Sequence, residues 1–130
     1  MTTWKMFRPP VPHPFSMSAS DDEWVLVSGV GAHRPDGSIA EDLTTQVKDS
    51  IAAVQHLLEN AGSSLDEIVW FKPHVSRREN APIMDEILSN VFGDVPPAGG
   101  ALVICELADP RMLVEFEVWA RRGARRTLAI

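Results

Sequence analysis

The chain has a single cysteine, Cys105, among its 130 residues, which excludes an internal disulfide and a thiolate metal cluster. It lies in the apolar run Ala101-Leu102-Val103-Ile104-Cys105 and reads as a small buried hydrophobe, with a reactive thiol as the alternative. No window comes near the ~18 consecutive apolar residues of a membrane helix. The opening Met1-Thr2-Thr3-Trp4-Lys5 runs into prolines where a secretory signal would place an apolar stretch, so a cytoplasmic protein without a membrane partner is expected. Excess positive charge is lacking too. A formal charge of −6 and a pI near 5.1 oppose the phosphate neutralisation behind non-specific nucleic-acid binding. The one basic cluster, Arg121, Arg122, Arg125 and Arg126, has no interleaved aromatics to stack on bases and reads as a solvated tail. His13, His33, His56 and His74 lack metal-ligand spacing, so no metal is expected. Gly29-Val30-Gly31 follows a strand but lacks a third glycine and a helix after it, which removes a dinucleotide fingerprint.

What is present fits one domain over residues 1–130, with an extended arm at 1–14 and the basic tail at 121–130. Pro9, Pro10, Pro12 and Pro14 force the arm to be extended. Strands are expected over Phe15–Ala19 and Trp24–Val30. Ser38 followed three residues later by Glu41 is a capping-box pattern. From there Leu43, Val47, Ile51, Val54, Leu57, Leu58 and Ala61 recur at helical spacing up to Gly62. A third strand covers Ile68 to Val75, with Pro73 expected at an edge or bulge because it has no amide to donate. Asn80 is the expected cap of a second helix, with Pro82 in its first turn and Gly93 past its end. Strands over Gly100–Leu107 and Met112–Ala120 follow, joined by a turn at Ala108-Asp109-Pro110. The fold class is α+β: a mixed sheet with two helices on one face.

Two helices cover only one side of that sheet. Alternation sends Trp24 and Leu26 one way and Val25 and Val27 the other, so both faces are apolar. Each large apolar side chain left in water forgoes ~1.5–3 kcal/mol, and four or five of them rival a domain's stability of roughly 5–15 kcal/mol. The second face is therefore expected to be buried against other copies of the chain, the alternative being a curled sheet that shields itself.

Several segments, in order, resemble the RidA/YjgF family, also called L-PSP endoribonuclease-like. They are Pro14-Phe15-Ser16, Val27-Ser28-Gly29, Gln46 with Ala61-Gly62, Asp66-Glu67-Ile68-Val69, Pro97-Ala98, and Val114 to Ala120. The resemblance implies a chorismate-mutase-like fold, a homotrimer, and small-molecule clefts at the subunit boundaries. It also implies cofactor-independent hydrolysis of reactive enamines and imines such as 2-aminoacrylate.

Imine hydrolysis needs a grip on the substrate, a polarised carbon–nitrogen bond and a positioned water. The family's grip is an arginine after proline-alanine, whose planar fork takes a carboxylate bidentately. Here Pro97-Ala98 is followed by Gly99 and Gly100. The fork is absent, and a nest of the two glycine amides is a weaker substitute. Phe15 stands where the family has tyrosine, Met84 where its second helix often has asparagine, and Val30 where it has glutamine. Each exchange makes the pocket more apolar. Alternation puts Glu115, Glu117 and Trp119 on the face opposite Val114, Phe116 and Val118. Glu117 is the expected catalytic carboxylate, with an intersubunit salt bridge as the alternative. The expected binding residues are Phe15, Ser28, Gly29, His74, Met84, Ala98, Gly99, Gly100 and Ala101. Of the possible replacement cations, His33, Arg34, His74, Arg77 and Arg78, His74 is best placed, at the end of the third strand. The expected activity is that of a deaminase-type hydrolase on a non-standard metabolite, or else non-catalytic binding of a small molecule.

Overall fold

The computed structural model describes residues 1–99 and 101–130. Three antiparallel strands open the chain: β1 (Lys5–Phe7), β2 (Ser18–Ser20) and β3 (Trp24–Val30). The proline-rich arm is thus not free along its whole length, because Lys5–Phe7 makes the sheet edge against β2. The strand expected from Phe15 begins only at Ser18. Pro12 and Pro14 have no amides to pair, and they hold the intervening loop outside the ladder.

Helix α1 (Leu43–Asn60) begins after Asp42, whose carboxylate accepts the Thr45 amide at 2.9 Å. The expected Ser38 cap does not form, since Ser38 instead donates its amide and hydroxyl to Asp36. The stripe Val47, Ile51, Val54, Leu57 and Leu58 is buried, as its spacing predicts. Gly62, at φ +79°, turns the chain out of the helix in the left-handed region. Strand β4 (Ile68–Val75) follows a short 3₁₀ turn at Leu65–Glu67. A second 3₁₀ turn, Arg78–Asn80, leads into α2 (Ala81–Phe92), so Asn80 makes no side-chain cap.

Of the strand expected over Gly100–Leu107, the described residues form only β6 (Val103–Ile104), and a short β5 (Ala98–Gly99) precedes it; both run parallel to β4. β5 pairs with Trp70 and Phe71, and β6 with His74 and Val75. Pro73, lacking an amide, falls in the gap between the two. Strand β7 (Val114–Arg121) then enters the middle, giving the order β1-β2-β3-β7-β4-β5 with β6 also on β4.

Both helices pack on one face of this mixed sheet. Val25, Val27, Ile68, Phe71, Val114, Phe116 and Val118 meet Val47, Val54, Leu58, Met84 and Leu88 there in one core cluster. Gln46, fully buried, ties α1 to the loop before β7. Its amide donates to the Ala40 and Arg111 carbonyls at 2.8 and 2.9 Å, and its oxygen accepts the Leu113 amide at 2.7 Å.

The other face is not uniformly apolar. One end carries Trp24, Leu26, Trp70 and Trp119; the other end carries Lys72, His74, Glu115 and Glu117. The tryptophans shield one another, with Trp119 edge-on to Trp24 at 6.3 Å and tilted on Trp70 at 5.6 Å. Trp119 is still 48% exposed.

The basic tail is not solvated as expected. Arg122 donates to the carbonyls of Asp21 and Ala61. Arg126 donates to those of Val95, Asp66 and Ile68 at 2.6–3.0 Å, and more weakly to Leu65, with its guanidinium over the Phe92 ring. A guanidinium has five N–H donors and no acceptor, so converging carbonyls hold it without a carboxylate.

Candidate functional site

On β3 the register against β7 slips between Val27 and Val30, a bulge centred on Ser28 and Gly29. Such a bulge turns side chains out of the regular alternation. Ser28 uses its freed hydroxyl to donate to the Ser16 carbonyl at 2.6 Å, which pins the segment after Phe15 to the strand. Gly29 lies under the Glu115 carboxylate, where a Cβ would come within 2.8 Å of Glu115 Oε1. A side chain at this position would push that carboxylate aside.

Beside it, His74 on β4 stands opposite Glu115 in the ladder, and Lys72 stands opposite Glu117. His74 Nδ1 is 3.2 Å from the Glu115 carbonyl oxygen, and Nε2 is 3.1 Å from Glu117 Oε2. A carbonyl only accepts, so Nδ1 carries the hydrogen. Nε2 then faces the Glu117 carboxylate as the ring nitrogen open to proton exchange. The imidazole is 17% exposed and the carboxylate 42%. The pair can give a proton to a departing nitrogen and take one from water. It cannot also clamp a substrate carboxylate, because the cationic form of His74 is already matched by Glu117.

A cleft of about 450 Å³ opens on the other side of the sheet edge, between α2, β4 and β5. Phe71, Leu88, Phe92, Pro97, Gly99 and Leu102 give it apolar walls, and Asp85 and Ser89 give it a polar margin. The Ser89 hydroxyl is committed to the Asp85 carbonyl at 2.8 Å.

The expected site residues therefore divide. Ser28, Gly29, His74 and Glu117 gather on the open face; Gly99 lines the cleft on the helix side, with Ala98 beside it in β5. Phe15 is 70% exposed on the loop before β2, and Ala101 is exposed. Gly100 lies outside the described residues. Met84 is a correction: it is fully buried in the core and reaches no cleft. Its neighbour Asp85 lines the cleft instead, because one residue along a helix turns the side chain by about 100°. The signal was available in the polar step at Asp85 and Ser89, four apart beside the apolar stripe of α2. Of the other possible cations, His33 pairs with Asp109, Arg34 pairs with Asp49, and Arg77 lines a second cleft with Glu106 and Asp109.

The Endoribonuclease L-PSP family model matches residues 7–122. A RutC family protein of Pyrococcus abyssi is 28% identical over 109 residues, 82% of this chain and 85% of that one. Among solved structures, a Pseudomonas aeruginosa protein of unknown function, PA3499, superposes with a TM-score of 0.85 over the whole of both chains at 22% identity. The YjgF gene product of E. coli reaches 0.79 over 88% of this chain and 92% of its own, at 20% identity. A core, a bulged β3 and a central β7 that follow the residues quoted for the resemblance, together with a match over nearly the whole chain, lead to one conclusion: this chain belongs to the RidA/YjgF, or L-PSP, family.

Proposed function

We propose that the chain acts as a homotrimer in which the cleft edged by Gly99 in one subunit meets the His74–Glu117 face of another, and that the composite site hydrolyses an imine or enamine. The observation that carries this reading is the His74–Glu117 pair. Its nitrogen and oxygen stand 3.1 Å apart on a sheet face whose nearest tryptophan is half exposed, so a second copy is needed to exclude water from it. Glu117 takes the proton of the attacking water, and His74 returns one to the leaving nitrogen. No metal or organic cofactor enters these steps.

Without a fork at position 99, substrates gripped by a carboxylate are bound poorly. Ammonia release from 2-aminoacrylate generated in situ is expected to stay near background. Gly99→Arg is expected to raise it, since a Cβ at this position would meet only the Phe71 carbonyl oxygen, at an ordinary 3.5 Å. Rapid turnover by the unaltered chain would overturn the role given to Gly99. The bare glycine also favours a second reading, a trimer that binds a small molecule without converting it. Under that reading Glu117→Gln would leave ligand binding intact while no imine is turned over by either form.

A further inference from the structure

The cleft between α2, β4 and β5 has an unusual charge balance for a site expected to take carboxylates. Among its described lining residues Asp85 is the one ionisable group, and no cation is present. Ser89, the nearest hydroxyl, already donates to a backbone carbonyl. The nearby guanidinium of Arg126 is not among the cleft's described lining residues; it sits over Phe92, with Nε and Nη1 donating to the Val95, Leu65, Asp66 and Ile68 carbonyls. Among its described lining side chains an anion entering this cleft finds no free donor and meets a carboxylate of like sign, whereas a cation finds an acceptor at the margin and aromatic rings behind it. Phe71 and Phe92 stand edge to face at 5.1 Å, forming an angled apolar corner against which a ring can pack. The volume of about 450 Å³ is within the range that holds a small organic molecule, roughly 300–1,000 Å³.

We propose that the cleft selects an organic cation, an ammonium or iminium group on an apolar and preferably aromatic body, with Asp85 as its counter-ion. This rests on the reading of the cleft as the small-molecule site and reverses the charge of the ligand it takes. His74 and Glu117 do not compete for that ligand's charge, because they are matched to each other.

The test compares two probes of similar shape and opposite charge, 2-phenylethylamine and 3-phenylpropanoate, titrated calorimetrically into the full-length chain. The amine is expected to bind at least about fivefold more tightly, the scale of one partly exposed ion pair. Asp85→Asn is expected to remove that preference without moving the melting temperature. Glu86→Gln, a like change on the same helix outside the cleft, should leave it intact, and Gly99→Arg should turn it toward the carboxylate. Equal or tighter binding of the carboxylate by the unaltered chain would overturn the proposal. So would a preference indifferent to Asp85, or no binding of either probe at millimolar concentration. Turnover is not needed in these titrations. A chain that binds the amine but hydrolyses no imine would keep this inference and lose the enzymatic reading; the opposite pattern would do the reverse.

Discussion

One sheet has two very different faces here. Toward the helices, β7 presents Val114, Phe116, Val118 and Ala120, each fully buried; toward the outside it presents Glu115, Glu117 and Trp119, each partly or largely exposed. A strand alternates with period two, so the same eight residues serve a closed hydrocarbon layer and an open chemical one. Stability is concentrated on the first face and the candidate site on the second. The two can be altered independently because they share only backbone.

The sharpest way to break that comparison is a matched pair of truncations on β7. Phe116→Ala is expected to cost about 3–5 kcal/mol, because its ring fills a closed core beside Phe71. Trp119→Ala should cost a separated protomer far less and instead weaken association between copies. Urea unfolding and sedimentation equilibrium would read the two effects. Equal losses of stability, with association unchanged, would show that the open face is not an interface.

Next in size is Gln46→Leu, which keeps the volume but strands the Ala40 and Arg111 carbonyls and the Leu113 amide. A loss of about 2–4 kcal/mol is expected, since buried polar groups left without partners cost about 1–3 kcal/mol each and local relaxation recovers part of it. Chemical denaturation at constant m-value would measure it.

The smallest expected effect is acid sensitivity at the margins. The hydrogen bonds of Thr45 hold the Asp42 carboxyl below its usual range, the Trp24 amide does so for Asp21, and the Arg111 fork does so more strongly for Asp109. Their folded-state values lie below the unfolded ones. Their contribution is therefore complete above about pH 4 and is lost as pH falls through the folded values. Asp42→Asn should flatten part of that acid limb in melting curves taken from neutral pH downward.

Much of this was legible in the residues. The stripe of α1, the alternation of β3 and β7 and the helix stops at Gly62 and Gly93 are local patterns, and local patterns survive folding. Glu115 and Glu117 were assigned to the correct face by counting alone. The rest depended on which strands become neighbours. The His74–Glu117 pair exists only because β4 lies beside β7 in one particular register, and the Arg126 clamp draws on carbonyls some thirty to sixty positions away. Met84 was misplaced by a single step on a helix, where one step exchanges core for cleft. Ser38 lost the capping role because the carboxylate of Asp42 lies closer to the first free amides.

The position of β7 has a consequence for synthesis. The strand at the centre of the sheet is the last of the seven to leave the ribosome, so β3 and β4 must wait with open edges while the segment between them is made. At roughly 5–20 residues per second that wait is on the order of several seconds, long compared with hydrophobic collapse. Nascent chains of this protein therefore carry two apolar strands with one open edge each until very late, a template for wrong pairing that closes only when β7 arrives.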